Sequence, residues 1–163
     1  MSADRDGLLV DTGAVNSLTG DEFALRVAKR AKSHGHGSQF SALDRNFGIE
    51  GVGKGANVCE QRALLPIALE DGSTGTFTSP MIRNSEVPGL LGLNPMIKAR
   101  VLLDLVNLKF ITVGEGGFDL KLSAGSTVRP LTRSPTGHLM LPITDWEKCK
   151  GKASHLAFPT IEM

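Results

Sequence analysis

The most constraining feature of the sequence is a short apolar run that ends in a carboxylate and a glycine. Residues 8–14 read LLVDTGA, so Asp11 directly follows three aliphatic residues. A carboxylate at the end of a buried strand is costly unless it is hydrogen-bonded or paired. Gly13 lets the backbone turn sharply toward that carboxylate, and Thr12 supplies a hydroxyl that can lock the turn. The tripeptide alone fits either an ordinary strand-to-turn junction or a functional carboxylate.

Length and composition predict one mainly β domain, or one domain with a tail. The 163 residues are 40% hydrophobic, which is enough to bury a core. Nineteen glycines and eight prolines predict many turns. A net charge of +1 provides no concentrated basic field, so we expect neither a nucleic-acid nor a membrane partner.

Cysteine usage and the N-terminal residues predict an intracellular protein. Cys59 and Cys149 lie far apart in the sequence and cannot form a disulfide framework, which favours a reducing compartment. The polar N-terminal residues lack the apolar region of a signal peptide. No apolar run approaches the ~20 residues that cross a bilayer. We therefore expect a cytoplasmic location, with the nucleus left open.

Local patterns predict a helix that begins at Thr19. The pair Thr19 and Glu22 matches a capping box, in which hydroxyl and carboxylate satisfy backbone amides reciprocally. An apolar stripe of Phe23, Val27 and Ala31 follows at helical spacing, and it is better explained as core than as a binding surface.

Further along the chain, the pattern predicts two hairpins and a short helix. The first hairpin joins strands at Ala63–Leu69 and Thr76–Ile82 through a turn that contains Asp-Gly. Asn94 is expected to cap a short helix whose first residue is proline. The second hairpin pairs Val101–Leu105 with Lys109–Val113.

Two more motifs follow Asp11, and together the three resemble a known family. Residues 51–55 read GVGKG, and residues 90–92 read LLG before the short helix. Their order, spacing and residue types resemble the retropepsin-like aspartic proteases, which include retroviral and retrotransposon proteases and the domain of cellular ubiquitin-shuttle proteins. The resemblance covers roughly residues 7–114.

The resemblance implies a retropepsin-like (acid protease) closed β-barrel with a short C-terminal helix and one extra helix after the active-site loop. The domain would span residues 1–117, and residues 118–163 would form a C-terminal tail. Family members usually carry further strands before the catalytic loop. The few polar residues before Leu8 are too short to supply them, so we expect those N-terminal strands to be missing.

The family's functional residues map onto positions of this sequence. Asp11 matches the catalytic aspartate, Thr12 matches the threonine that reaches the partner subunit's loop, and Gly13 matches the glycine that lets two carboxylates lie coplanar. The positions that match substrate-binding or supporting elements are Ala14, the flap residues Gly51, Val52 and Gly53, and the element Leu90, Leu91 and Gly92 beneath the active-site loop.

The implied activity is that of an aspartic endopeptidase, with a polypeptide substrate and no cofactor. Two neighbouring carboxylates cannot both ionise, so one acts as general base on water and the other as general acid. The chain has a single Asp-Thr-Gly, and Asp71-Gly72-Ser73 is better explained as a turn, so the second aspartate must come from a homodimer partner. The expected role is processing of a retrotransposon-type polyprotein. The alternative is an inactive retropepsin-like module for dimerisation or peptide binding.

The other candidate sites in the sequence are weak, and we predict no metal site. His34 and His36 alone make a poor metal site and fit a solvated loop. The two cysteines lack a neighbouring histidine partner, which makes a plain thiol the better interpretation. The glycines at 51–55 lack the Lys-Ser/Thr of a phosphate-binding loop, because Ala56 follows them.

Overall fold

The computed structural model describes residues 5–49, 57–149 and 156–159, which fold mainly as β-strands, as the sequence predicts. The strands are β1 (Leu9–Val10), β2 (Thr19–Gly20), β3 (Gln39–Ile49), β4 (Asn57–Ala68), β5 (Thr74–Ile82), β6 (Leu90–Leu91), β7 (Val101–Asp104), β8 (Lys109–Thr112), β9 (Thr132–Arg133) and β10 (Leu139–Met140). The helices are α1 (Asp21–Ser33), α2 (Leu93–Lys98) and a short 3₁₀ helix, Trp146–Lys148.

The largest sheet has four strands in the order β2-β5-β4-β3. The long β4–β5 hairpin dominates it, with Ala68 paired to Thr74 next to the turn. The predicted Asp-Gly turn is confirmed, because Gly72 has a φ of 84° and the carboxylate of Asp71 accepts the Ser73 N–H at 2.9 Å. Glycine adopts that backbone conformation without the steric cost that a β-carbon brings.

The expected closed barrel is not found among the described residues. They form four separate sheets, and β3 stands at an open edge of the largest one. The two-residue strands β1 and β6 pair only with each other as a sheet. A single bridge from Leu18 to Leu90 connects them toward β2. The backbone hydrogen bonding is therefore interrupted where a barrel would have to be continuous.

Helix α1 packs its apolar stripe on one face of the hairpin. Ala24 is fully buried in the main core, and Val27 and Ala28 pack against the same cluster. The remaining buried members of that cluster are Ala63, Leu65, Phe77 and Met81. Of the predicted stripe, Phe23 is buried and Val27 packs against the main core, so both are confirmed as core residues, whereas Ala31 is half-buried.

The predicted start of α1 is wrong by two residues. Helix α1 begins at Asp21, and Gly20 occupies the cap position without a side-chain hydrogen bond. Thr19 is instead a buried member of β2, where it pairs with Met81 and donates its hydroxyl to the Gly20 carbonyl. Because strand pairing holds Thr19, its hydroxyl cannot cap the helix.

The short helix and the second hairpin are both present. Helix α2 begins at Leu93 with Gly92 as its cap residue, so the predicted Asn94 cap is wrong. The expected hairpin pairs β7 with β8, and the structure sets its register at Val101↔Thr112. After β8, the Arg100 guanidinium donates to the carbonyls of Val113 and Gly114, which fastens the end of this hairpin to the connection between α2 and β7.

Candidate active site

The Asp11 loop folds around its own carboxylate. Strand β1 ends at Val10, and the chain turns so that Asp11 Oδ1 accepts the N–H of Gly13 at 2.9 Å and the N–H of Ala14 at 3.1 Å. A β-carbon added at Gly13 would lie 3.2 Å from the same oxygen. Two backbone donors therefore orient the carboxylate, and the small residue at position 13 leaves room for it.

Strand β6 supports this loop from beneath. It runs parallel to β1, and the Asp11 N–H donates to the Leu91 carbonyl at 3.0 Å. On its other side, Leu90 exchanges two backbone hydrogen bonds with Leu18. The residues Leu90 and Leu91 thus lie between the chain segments that enter and leave the loop.

Gly92 fits against the loop where no side chain has room. A β-carbon at this position would lie 2.4 Å from the carbonyl carbon of Asn16. The Gly92 N–H donates to Ser17 Oγ at 3.1 Å, and the Leu93 N–H donates to the Ala14 carbonyl at 2.8 Å. The structure therefore places the Leu90, Leu91 and Gly92 element directly against the loop that carries Asp11.

The top of the loop is open. Asp11 is half-buried, whereas Thr12 and Gly13 are exposed. The neighbouring side chains of Leu9 and Val10 are also exposed, at 53% and 44%. A carboxylate held by backbone donors at an accessible, partly apolar surface can meet a second group from outside this chain.

The candidate flap residues Gly51, Val52 and Gly53 lie outside the described residues. The strands on either side of them are described, and Ile49 at the end of β3 pairs with Asn57 at the start of β4. The backbone on both sides of the flap motif is therefore antiparallel and paired.

The first residues after the loop are joined to α2 through a pair of asparagines that the sequence analysis missed. The Asn94 N–H donates to the Val15 carbonyl at 2.9 Å, and the Asn94 amide donates to Asn16 Oδ1 at 3.1 Å. Asn94 Oδ1 in turn accepts the guanidinium of Arg133 at 2.8 Å. These partners are far apart in the sequence and carry no recognisable spacing, so no local pattern could have connected them.

A groove of about 560 Å³ lies next to these residues, between β5 and α2. Its lining includes Asn16, Thr76, Thr78, Asn94 and Lys98. Asp11 does not line it, so the groove is adjacent to the carboxylate loop and separate from it.

The remaining candidate residues lie apart from this site. The Asp71 carboxylate accepts hydrogen bonds within the β4–β5 turn, and those from the Ser73 hydroxyl and N–H hold the pKa of its carboxyl below the usual value. Cys59 is buried, which raises the pKa of its thiol, and Cys149 is exposed. Across residues 5–49, 57–149 and 156–159, no three His, Cys, Asp or Glu side chains come together as a metal site.

No family model, curated protein or solved structure matches the chain. In the part of the chain that the structure describes, neither α-helix has the length and apolar character needed to cross a bilayer.

Proposed function

We propose that the chain is a retropepsin-like aspartic endopeptidase that acts as a homodimer on extended polypeptide, with a retrotransposon-type polyprotein as its substrate. The single observation that carries the proposal is the geometry of Asp11. Its Oδ1 accepts two backbone N–H groups while the residues above it stay exposed. A carboxylate oriented in this way is accessible to a reactant from outside the chain and is not enclosed in the core.

The support beneath the loop is also what such chemistry requires. Catalytic groups act efficiently when packing and hydrogen bonds fix them on rigid elements. Here β6 and Gly92 fill the space under the loop and leave no room for a side chain. The proposed roles of Thr12, in contacting the partner's loop, and of Ala14, beside the substrate, fit their positions on the same turn.

One chain supplies one such carboxylate, so the proposed mechanism needs a second copy. In the dimer, the two Asp11 carboxyls share one proton because like charges at close range cannot both ionise. The ionised carboxylate takes a proton from water, whose oxygen attacks the scissile carbonyl carbon, and the protonated carboxyl donates to the carbonyl oxygen. The carboxyl that took the proton from water then protonates the nitrogen of the gem-diol intermediate, and the C–N bond breaks to release the amine. One hydroxyl of the gem-diol gives its proton to the other carboxylate, which leaves a carboxylic acid and restores the singly protonated pair.

The test compares wild type with Asp11→Asn on an unstructured polypeptide at about pH 5. We expect wild type to cleave, pepstatin to slow the cleavage, and Asp11→Asn to abolish it. Asp71→Asn is the matched control, because that carboxylate serves only its turn. It should cleave like wild type.

Sedimentation of the same samples separates the possible outcomes. If wild type dimerises and neither form cleaves, the chain is the alternative, a module for dimerisation or peptide binding. Equal cleavage by wild type and Asp11→Asn would also refute the proposed mechanism.

A further inference from the structure

The tail leaves the domain and then returns to the loop that carries Asp11. All residues from 114 to 133 are exposed. The hydrogen bonds within this stretch are local, such as that from Arg129 to the Thr127 hydroxyl. Strands β9 and β10 then form a small hairpin, residues 132–140, which we name the tail strap.

The tail strap is a structured turn. The Ser134 N–H donates to the His138 carbonyl at 2.9 Å, and the His138 N–H donates back to Ser134 Oγ at 3.1 Å. The Gly137 N–H donates to the Ser134 carbonyl at 2.9 Å. Gly137 has a φ of 94°, which a side chain would strain.

This turn contacts the residues that follow Asp11 at two points. A β-carbon added at Gly137 would lie only 3.3 Å from Val15 Cγ1, so the backbone of the strap passes close to that side chain. Arg133 donates to Asn94 at 2.8 Å, and Asn94 donates to Asn16 at 3.1 Å. The strap therefore contacts Val15 directly and is linked to Asn16 through Asn94 of α2.

We propose that the tail strap is a positioning element that holds the loop after Asp11 against α2. Arg133 fixes the Asn94 side chain, whose amide holds Asn16 and whose backbone N–H holds the Val15 carbonyl. Displacement of the strap would free Val15 and Asn16 and loosen the turn that aims Asp11. The strap is a contact within one chain, so its positioning role can be tested whether or not the chain is a peptidase.

Amide hydrogen exchange of the full chain tests the strap. The N–H groups of Leu93 and Asn94 bond across the loop–α2 contact, so they report whether that contact opens. We expect Arg133→Ala to speed their exchange by about three- to tenfold, the scale set by loss of one hydrogen bond. Amides in the β4–β5 ladder, such as Leu65, should keep their wild-type rates, which separates loosening of the loop from loss of the fold.

Matched variants separate the contact from local effects. Arg129→Ala removes an exposed tail arginine that bonds only to Thr127, and it should leave exchange unchanged. Gly137→Ala should speed exchange at Asn94, whereas Gly125→Ala should not, because Gly125 has a similar φ of 84° and no atom within 4 Å of its added β-carbon. Arg133→Lys retains a donor and should restore exchange to within about twofold of wild type.

If the amides of Leu93 and Asn94 exchange at the wild-type rate in both Arg133→Ala and Gly137→Ala, the proposed role of the strap is wrong. A lysine variant that exchanges as fast as the alanine variant would overturn the hydrogen-bond relay. Where peptide cleavage is measurable, Arg133→Ala should lower kcat and change KM by less than about twofold, because the strap acts on the loop and not on the substrate.

Discussion

The carboxylate of Asp21 accepts the backbone N–H of Ser85, 64 residues later in the chain, at 2.9 Å. Its other oxygen accepts the Asn84 N–H at 2.8 Å. Burial raises the pKa of Asp21, but the donors of Ser85 and Asn84 outweigh burial and hold the pKa below its ordinary value. A single side chain at the start of α1 thereby secures the connection that leads from β5 to β6.

Asp21→Asn should lower the free energy of unfolding by about 1 kcal/mol at pH 7, a value reduced from that of a buried charged bond because the site is partly solvated. A lowered pKa contributes stability above the unfolded value of about 3.9 and loses it as the pH falls through the folded value. Urea unfolding should therefore show the two proteins converging below about pH 4. Glu22→Gln, on the exposed neighbouring side chain, should show no such convergence.

Gly92→Ala should disrupt the support of the Asp11 loop. The new methyl would have to lie where the Asn16 backbone is, at 2.4 Å, so the loop or α2 must move. We expect a loss of stability above about 2 kcal/mol, in the range of overpacked core sites. Gly48→Ala is the control, because a β-carbon there meets no atom within 4 Å. Equal melting temperatures of the two variants would contradict the packing argument.

Thr12→Ala should weaken self-association while leaving the fold intact. Thr12 is exposed in the single chain, so its loss removes no core contact, whereas the proposed dimer uses its hydroxyl to join the two loops. Sedimentation should show a dissociation constant raised by about tenfold, as expected for loss of one or two hydrogen bonds per dimer. Thr12→Ser keeps the hydroxyl and should associate like wild type. Unchanged association of the alanine variant would place the dimer contact elsewhere.

The two thiols should differ sharply in reactivity. Cys59 has 0% exposure, and burial raises the pKa of its thiol, so the reactive thiolate is scarce and shielded. Cys149 is exposed. Titration with a disulfide reagent near pH 8 should consume one thiol per native chain, and the second only after addition of denaturant. Cys149→Ser should abolish the fast phase, and a fast phase that survives would show Cys59 to be accessible.

Leu108→Gly should stabilise the protein. Leu108 lies in the β7–β8 turn with a φ of 53°, a conformation that a side chain disfavours, and it is 88% exposed. The gain should be between about 0.5 and 1 kcal/mol, because the relief of strain is partly offset by the greater freedom of glycine in the unfolded chain. Leu105→Gly, at an exposed turn residue without a positive φ, should destabilise instead. Chemical denaturation measures both changes.

Sequence patterns within a short window predicted the elements that depend on neighbouring residues alone. Helix α1, the Asp-Gly hairpin and the β7–β8 hairpin all follow from periodicity and turn residues within a short window. Strand β3 was missed, because its apolar residues do not alternate regularly. Its register with β4 shifts between Ala42 and Phe47, so a single two-residue period does not hold along it.

The candidate site was predictable only as far as its motifs. The sequence indicated Asp11 and the Leu90–Gly92 element separately, and the resemblance joined them. The contacts of Asn94 with Asn16 and of Arg133 with Asn94 depend on how distant segments pack, and a single polar residue carries no sequence signal of a distant partner.

The insertion of β6 between β1 and Leu18 sets an order of assembly. The segment that carries Asp11 is synthesised first, but its central strand lies about eighty residues downstream, at Leu90–Leu91. A nascent chain that ends before Gly89 lacks the backbone partners of Leu9, Asp11 and Leu18, which are Gly89, Leu91 and Leu90. The carboxylate turn of Asp11 therefore gains its support from β6 only after the residues at 89–91 have been synthesised.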